Sequence, residues 1–502
     1  MKILLKGFVA DGKNEPIRSA VLIDGNRIAA VSKDIYGSIA ADKTYSFKNE
    51  IIAPGFIDVH GHSDISLLAD PAAKSKRHQG FTSEIAGNCG LSVFPLTEKN
   101  IDHLQQLYAQ YGTDLNWQNY PDYQNELTRR QTALRLFSFC GHNTLRSAVA
   151  GYEKKSLSVQ ELFSMKTMLA KALQDGAVGL SSGLLYVPGC FADDEELTAL
   201  MTVVQQYNKV YSTHLRSEGD KLVESLESTL FCAESAGLKK VEISHLKTAG
   251  KNNWHKLPEV LYLIDEQRKK GFDIHFDRYP YTESQTMLSV ILPYPLDKTS
   301  DTIVTEQMRL DDVRLSTLDS LRQTKKHSDW SRYRLTGTSH PELKKFIGQK
   351  FSDVPFDPAE FTVELLRYDA TTATISASGM SKENMVKILT SNLCMCGSDG
   401  NALPFDDRYG SVHPRSFGSA PEFIRLLLEN NIPIGKIIYR LSALPAEFFN
   451  LPEIGTLKDG NKADITVFDP ENIGSKADFA DPFRPAEGIT LTMLNGAVEF
   501  YS

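Results

Sequence analysis

The sequence predicts an α/β protein: a (β/α)₈ TIM barrel with a small β-sandwich domain built from both termini and a long insertion on one barrel loop. Two observations predict the barrel: short apolar strands alternate with amphipathic helical stretches through the middle of the 502-residue chain, and eight such strands can be counted. A third observation predicts the smaller domain, because both ends of the chain are rich in β-forming residues.

The terminal segments resemble each other in composition. Residues 3–9 and 489–495 are runs of apolar and β-branched residues, and residues 24–26 (DGN) carry the signal of a tight turn. We therefore expect one β domain assembled from the two ends, around a barrel in the middle. The predicted boundaries are 1–54 for the N-terminal part, 55–447 for the barrel and 448–502 for the C-terminal part.

The middle of the chain supplies the barrel strands. Between many of them lie stretches with helical spacing of apolar residues, of which 158–174 is an example. The predicted strands are 55–59, 83–86, 134–140, 178–180, 210–214, 241–245, 273–276 and 393–397.

One segment, residues 286–350, interrupts this alternation. It is charged and irregular, and a long insertion on a barrel loop is often a lid over the active site. A surface elaboration is the alternative. Its basic residues Arg309, Arg314 and Arg322 can either meet an acidic substrate side chain or remain solvated.

Charge and composition exclude several classes of partner. The net charge is −8, which disfavours nucleic acid or an anionic membrane as the main partner, since both need clustered positive charge. No run of about 18 apolar residues predicts a membrane span, and the N-terminus does not read as a signal peptide.

Six cysteines are too sparse for a disulfide scaffold. We expect a cytoplasmic protein with mostly free thiols; oligomeric state is not predicted.

The residues that suggest metal chemistry follow the predicted strands. A barrel enzyme takes its catalytic groups from the carboxyl ends of several strands, so residues far apart in sequence meet in one pocket. Every candidate residue has a side chain of a type that binds zinc in proteins. The candidates are His60, His62, Cys89, His214, His245 and Asp399.

This set leaves room for two metal ions. Side chains at i and i+2 of a strand point the same way, so His60 and His62 can reach one ion. A catalytic zinc takes three protein ligands, and the thiolate of Cys89 can bridge two metals. Cys394 and Cys396 lie on a strand without a second cysteine pair, and we expect them to be core thiols.

Asp399 is the candidate general acid and base. A bound metal lowers the pKa of water and polarises a carbonyl oxygen. Amide hydrolysis also needs a group that takes a proton and delivers it to the leaving nitrogen, and a carboxylate beside the metal suits both steps. The alternative is that Asp399 is only a ligand or a helix cap.

Three further residues indicate a small substrate with a free carboxylate. Lys247 and Arg415 each follow a candidate ligand, and Tyr279 comes shortly after the strand at 273–276. Lysine, tyrosine and arginine around a metal can bind a carboxylate, arginine through a bidentate fork. Surface charge pairing is the alternative for each of them.

With these residues in place, the chain resembles the amidohydrolase superfamily, and within it the N-acyl-D-amino-acid deacylases (D-aminoacylases). The resemblance covers almost the whole chain. Its motifs are 53–62 (APGFIDVHGH), 87–90 (GNCG), 179–184 (GLSSGL), 213–219 (THLRSEG), 244–247 (SHLK), 279–281 (YPY), 398–400 (SDG), 413–415 (HPR) and 455–460 (GTLKDG).

The resemblance implies zinc-dependent hydrolysis of N-acyl-D-amino acids. It implies one tightly bound zinc on Cys89, His214 and His245, and a second, weaker site that shares Cys89. The second site would use His60, His62 and Asp399. It further implies Asp399 as the catalytic acid and base, a mobile lid at 286–350, and a substrate α-carboxylate held by Lys247, Tyr279 and Arg415.

Other readings remain open at this point. A related enzyme could act on N-carbamoyl amino acids, D-residue dipeptides or cyclic amides; Cys89 argues against the last, since hydantoinase-like relatives use a carbamylated lysine instead. A non-enzymatic binding protein is disfavoured because every candidate ligand is present. Gln285 stands where the family often has a carboxylate-binding serine, and the nearby Glu283 must point away from the site.

Overall fold

The computed structural model describes residues 1–34, 40–410 and 413–502, and it has a mixed α/β fold. Its strands form two parallel sheets and one antiparallel sheet in the middle of the chain, and a further sheet is formed by the two ends. The strands are β1 (Lys2–Val9), β2 (Ile17–Asp24), β3 (Arg27–Ser32), β4 (Lys43–Pro54), β5 (Phe56–Asp58), β6 (Phe81–Ala86), β7 (Arg135–Ser138), β8 (Cys140–Gly141), β9 (Gly179–Gly183), β10 (Val210–His214), β11 (Lys240–Ile243), β12 (Asp273–Arg278), β13 (Glu283–Met287), β14 (Tyr333–Gly337), β15 (Thr374–Ser378), β16 (Cys394–Cys396), β17 (Ile465–Phe468), β18 (Ile489–Leu494) and β19 (Ala497–Tyr501).

The helices lie mostly between these strands. Helix α6 shows why its sequence is helical: Ser158 and Glu161 form a capping box at its start, and Met165 and Leu169 are buried on one face. Among the described residues, no helix combines the length and the apolar character that a membrane crossing requires. The helices are α1 (Ser66–Ala69), α2 (Lys74–Arg77), α3 (Ile101–Leu107), α4 (Tyr120–Arg130), α5 (His142–Ala150), α6 (Val159–Gln174), α7 (Asp194–Gln206), α8 (Leu222–Ser235), α9 (Leu257–Lys269), α10 (Asp301–Met308), α11 (Asp311–Thr324), α12 (His327–Trp330), α13 (Pro358–Asp369), α14 (Lys382–Thr390), α15 (Arg415–Glu429), α16 (Ile434–Leu441) and α17 (Ala443–Phe448).

Two parallel sheets form the centre of the molecule. One has the strand order β16-β12-β11-β10-β9-β8, and the other has the order β5-β6-β7. Backbone hydrogen bonds join their edges: the Val59 amide donates to the Cys396 carbonyl (3.2 Å), and the Val178 amide, directly before β9, donates to the Ser138 carbonyl of β7 (3.0 Å). Each of the eight predicted barrel strands overlaps an observed strand, with the predicted 134–140 divided between β7 and β8.

The two ends of the chain share a sheet with the order β19-β18-β17-β4-β1-β2-β3. Strand β4 joins them, because it pairs in parallel with β1 and antiparallel with β17. Apolar side chains of these strands, such as Ile3, Val21 and Val467, form a separate core cluster. The N- and C-terminal segments are therefore held together by backbone pairing and by a common core.

The segment after β12 forms a unit with its own sheet and core. Its antiparallel sheet has the order β13-β15-β14, and residues such as Leu321, Leu335 and Leu365 form a core cluster distinct from that of the parallel strands. We call residues 283–378 the inserted unit. It extends beyond the predicted 286–350 on both sides, and helices α10–α13 replace the irregular structure expected from its charged sequence.

Candidate metal centre and active site

The six predicted ligands come together around the sulfur of Cys89. Its Sγ lies 3.4 Å from Nε2 of His60, 3.4 Å from Nε2 of His245 and 3.6 Å from Nδ1 of His214. These residues follow or end strands β5, β6, β10 and β11, so neighbouring parallel strands deliver them to one point.

Asp399 and His62 also belong to this cluster. Oδ1 of Asp399 lies 3.0 Å from Nε2 of His62 and 3.6 Å from Nε2 of His60. One set of donor atoms within 4.8 Å of one another comprises His60, Cys89, His245 and Asp399. A second set comprises His214, Glu218 and His245, so the cluster offers two overlapping positions for a cation.

The backbone at these positions adopts a conformation that side chains rarely accept. Cys89, His245 and Asp399 have φ angles of 53°, 36° and 51°, in the left-handed region. Such strain persists where the surroundings impose it, and it concentrates at functional sites. A close approach adds to the constraint: a Cβ at Gly183 would lie 2.0 Å from the Cys89 carbonyl oxygen, so only glycine fits beside that loop.

Two carboxylates contact the histidines of the cluster and orient their rings. Asp277 Oδ2 lies 3.0 Å from His60 Nδ1 and accepts a hydrogen bond from the His245 amide (3.0 Å). Glu218 Oε1 lies 2.9 Å from His245 Nδ1, and Glu218 Oε2 lies 3.5 Å from His214 Nε2. Such partners fix the ring orientation of metal-binding histidines.

The sequence reasoning did not assign a role to Asp277 or Glu218. Both stand inside or beside motifs already noted, 213–219 and 279–281. The available signal was an acidic residue close to a candidate ligand at a strand end, which is the pattern expected of a histidine-orienting carboxylate.

The ionisation states of the side chains in the cluster favour binding of a cation. Burial raises the pKa of the Cys89 thiol, but the charges of His60 and His245 outweigh burial and hold that pKa well below its usual value. Burial also opposes ionisation of Asp399, yet the Arg415 guanidinium and the hydrogen bond with His62 hold its pKa well below the ordinary range. Both candidate ligands are thus anions at neutral pH, the form that a metal requires.

The pKa values of two histidines are raised rather than lowered. Burial lowers the pKa of His62, but its contacts with Asp399 and Cys89 raise it to about 9. Burial and Lys247 both lower the pKa of His245, whereas the Glu218 and Cys89 anions raise it to about 10. Without a metal, protons therefore supply the positive charge that the anions attract, and metal binding must release them.

The arrangement fits zinc. Zinc binds thiolate at about 2.3 Å and imidazole at about 2.0 Å, so sulfur and nitrogen ligands of a tetrahedral ion lie about 3.5 Å apart. The three distances from Cys89 Sγ to histidine nitrogens are 3.4, 3.4 and 3.6 Å. A thiolate, imidazoles and a carboxylate are also the donor types that zinc prefers.

The three predicted carboxylate-binding residues border the cluster. Arg415 Nη1 donates to Asp399 Oδ2 at 2.6 Å, and Lys247 Nζ lies 2.8 Å from His245 Nδ1 and contacts Glu218. Tyr279 is fully buried, and its hydroxyl has no hydrogen-bond partner among the described residues. Burial opposes ionisation of that phenol, but the charges of Lys247, Arg278 and Arg415 outweigh it and lower the pKa of Tyr279.

A cavity of about 410 Å³ opens onto this group, and the inserted unit contributes to its wall. Gln285 lines it and accepts a hydrogen bond from the His413 amide (3.2 Å). Glu283 instead accepts a hydrogen bond from Ser376 (2.7 Å) and lies 3.8 Å from Arg334, so its charge is directed away from the metal cluster.

Cys394 and Cys396 belong to the core. Both are fully buried on β16 within the main apolar cluster, and burial raises the pKa of the Cys394 thiol to about 12. The structure therefore places these thiols among core side chains, as expected from the sequence.

Comparison with known protein families gives matches along most of the chain. An amidohydrolase family model matches residues 44–305, and a second amidohydrolase family model matches residues 362–498. An N-acyl-D-glutamate deacylase from Alcaligenes xylosoxydans xylosoxydans is 31% identical over 497 residues, covering 98% of this chain and 92% of that protein.

Two solved structures resemble the fold closely. One is an N-acyl-D-glutamate deacylase from Bordetella bronchiseptica, in complex with zinc and a phosphonate inhibitor that mimics the tetrahedral intermediate of the reaction. It superposes with a TM-score of 0.82 at 28% identity and covers 99% of this chain and 96% of that one. The other is a D-aminoacylase with a binuclear metal centre, with a TM-score of 0.82 at 27% identity and coverage of 100% and 97%.

Proposed function

Because this chain belongs to the D-aminoacylase family of the amidohydrolases, we propose that it hydrolyses N-acyl-D-amino acids in a zinc-dependent reaction. The products are a carboxylate and a free D-amino acid. The observation that carries the proposal is the convergence of Cys89 with three histidines, beside an ionised Asp399 and two cations.

The proposed zinc ligands divide into two sets. Cys89, His214 and His245 hold the tightly bound ion, and His60, His62 and Asp399 form a weaker second site that shares Cys89. The distances around Cys89 support the first set, and the short contact between His62 and Asp399 supports the second. When bound, zinc acts as a Lewis acid towards the acyl carbonyl and lowers the pKa of water.

Asp399 is the proposed proton carrier. Its carboxylate accepts a proton from the attacking water and then donates that proton to the nitrogen of the departing amine. The contacts with His62 and Arg415 hold it ionised before the reaction starts, as a general base requires. Its position against His60 also keeps it beside the metal cluster.

The substrate's α-carboxylate is proposed to bind Lys247, Tyr279 and Arg415. The unpartnered, buried hydroxyl of Tyr279 supports this role, because buried polar groups in proteins almost always have a partner. With the carboxylate and the acyl carbonyl both held, the direction left for the side chain distinguishes D from L substrates. A misplacement of about 1 Å can cost on the order of 10²-fold in rate.

We also propose that the parallel strands close into a (β/α)₈ barrel, with a β-sandwich made by the termini. The edge-to-edge bonds at Val59 and Val178 support closure of the barrel, and the parallel bridge between Gly61 and Gly400 adds a further link. The core cluster among the terminal strands supports the sandwich. The proposed domains remain 1–54, 55–447 with an insertion that includes 286–350, and 448–502.

The reducing cytoplasm is the compartment we propose for this protein. All six cysteines are unpaired in the structure, and the Cys89 thiolate would be vulnerable to oxidation elsewhere.

The test is amine release from matched N-acetyl-D- and N-acetyl-L-amino acids, using enzyme of measured zinc content. We expect turnover confined to the D series, loss of turnover after chelation, and recovery when zinc is restored. Cys190→Ser is the control for Cys89→Ser, because Cys190 lies outside the cluster and should keep both zinc and turnover. Zinc-loaded enzyme that hydrolyses neither series would contradict the proposal and favour an N-carbamoyl or dipeptide substrate.

A further inference from the structure

The outer part of the cavity, away from the metal cluster, determines which substituents a substrate can carry. Its lining is largely apolar and includes Leu104, Leu107, Val187, Met287 and Val290. Among the described residues that line the cavity, the only lysine and arginine are Lys247 and Arg415, and both lie at the metal end. A substrate side chain in the outer part therefore meets apolar groups, hydroxyls and carboxylates.

Neither of those two cations is free to serve a second carboxylate. Lys247 is bound to Glu218 and His245, and Arg415 is bound to Asp399. Both are already assigned to the α-carboxylate of the substrate. His103 also lines the cavity, but burial lowers its pKa to about 4, so it is neutral at pH 7.

The basic residues of the inserted unit, which the sequence suggested as partners for an acidic side chain, are engaged elsewhere. Arg314 pairs with Asp311 at 2.7 Å, and Arg322 pairs with Glu360 at 2.6 Å. The guanidinium of Arg309 faces the backbone carbonyls of residues 367 and 368. None of the three lines the cavity.

Lys298 lies beside the lining, next in sequence to Asp297. Its Nζ lies 3.4 Å from the carbonyl of Leu185 and 3.6 Å from Oδ2 of Asp297, which balances its charge. It therefore adds no net positive charge at this part of the wall.

Two carboxylates in the outer wall each have an oxygen without a hydrogen-bond partner among the described residues. They are Asp297 and Asp301, and in each the buried Oδ1 is the unpartnered atom. Burial, opposed by a hydrogen bond from Ser289, raises the pKa of Asp301 to about 6, so this group is an anion at pH 8. A substrate carboxylate placed here would lose water, would find Lys298 already paired with Asp297, and would face the negative charge of Asp301.

We propose that this enzyme takes N-acyl-D-amino acids with uncharged, mainly apolar side chains, and discriminates against D-glutamate and D-aspartate. This inference rests on the proposed deacylase function. It would separate the specificity of this chain from that of the N-acyl-D-glutamate deacylase to which it is 31% identical, because a few charges in a cavity wall can decide between substrates.

The sharpest test compares substrates that differ only in charge. We would measure kcat/KM at pH 8 for N-acetyl-D-glutamine and N-acetyl-D-glutamate, with N-acetyl-D-leucine and N-acetyl-D-methionine as apolar substrates. We expect the glutamine compound to exceed the glutamate compound by about 100-fold or more, and the apolar substrates to be the best. A glutamate compound hydrolysed as well as the glutamine compound overturns this inference while leaving the deacylase function intact. No turnover on any D-substrate overturns both.

Two variants test the physical cause. Asp301→Asn removes a repelling carboxylate, and Met287→Lys supplies the missing cation; each should raise the ratio of glutamate to glutamine turnover by about 10-fold. Asp311→Asn is the matched control, since that aspartate belongs to the same inserted unit but is exposed and does not line the cavity. Because the readout is a ratio on one enzyme preparation, partial loss of folded protein does not affect it. Unchanged ratios in both variants would overturn the inference.

Discussion

Charged side chains are buried around the metal end of the cavity, whereas charged side chains of the inserted unit form exposed pairs. Around the cluster, charged groups are buried and held by one another: Lys76, for example, lies 2.6 Å from Asp58 and 2.9 Å from Glu84, with all three side chains at 0% exposure. In the inserted unit, Arg322 and Glu360 form an ion pair with side chains 42% and 58% exposed. If one of the buried charged groups moved, its partner would be left unpaired, so these groups keep a fixed geometry. An exposed charged group can instead replace its partner with water.

This contrast separates two tasks. The metal end can position reacting groups, because its residues lie at strand ends and are fixed by neighbours such as Asp277. The outer wall can select substrates by shape and charge, because it combines apolar side chains and hydroxyls with the carboxylates of Asp297 and Asp301, and the described residues that line it include no lysine or arginine. The predictions below test each half of that contrast, from the largest expected effect to the smallest.

Removing the proposed proton carrier should have the largest effect. Asp399→Ala should lower kcat by at least about 10³-fold, because it removes the carboxylate that contacts His60 and His62 beside the proposed zinc site. Zinc should remain bound through Cys89, His214 and His245, which metal analysis of the purified variant would check. Near-normal turnover in this variant would refute the role given to Asp399.

Breaking a buried ion pair at the metal end should destabilise the whole protein. Lys76→Met leaves Asp58 and Glu84 buried without their cation, a change that typically costs about 3–5 kcal/mol of unfolding free energy. Lys74→Met on the same short helix is the control, because Lys74 is exposed and should tolerate the change. Equal denaturation midpoints for the two variants would show that the buried network does not support this end of the molecule.

Removing one substrate contact should have a moderate effect. Tyr279→Phe deletes a hydroxyl that has no partner among the described residues, so the protein should keep its stability while KM rises about 10-fold, the effect of one hydrogen bond. Tyr281→Phe is the control, because Tyr281 does not line the cavity. Steady-state kinetics on one D-substrate checks both variants. An unchanged KM for Tyr279→Phe would remove this residue from the proposed carboxylate site.

The smallest effect is expected in the inserted unit. Arg322→Ala breaks an exposed ion pair, which in proteins contributes little to stability, and it removes no charge from the cavity. The denaturation midpoint and the ratio of glutamate to glutamine turnover should both match those of the parent enzyme. A fall in glutamate turnover would show instead that this arginine reaches the substrate.

Much of the architecture could be predicted from local patterns. All eight predicted barrel strands appear, and β10 has the predicted bounds, because a short apolar run between turn signals already favours a buried strand. The capping box at Ser158 likewise marks the start of α6. The six candidate ligands could be expected in one pocket because parallel strands of a barrel bring their carboxyl ends to one face; that they bind zinc stays a prediction.

Only the tertiary structure decided how these pieces support one another. The roles of Asp277 and Glu218 depend on distances across strands, which no local pattern records. The limits of the inserted unit depend on β13 pairing with β15, about ninety residues later in the chain. Sequence periodicity reports which face of an element is buried, but it does not report the partner against which that face packs. For the same reason the charge of the outer cavity wall, which we propose decides the substrate, could not be predicted from the arginines of the segment that forms it.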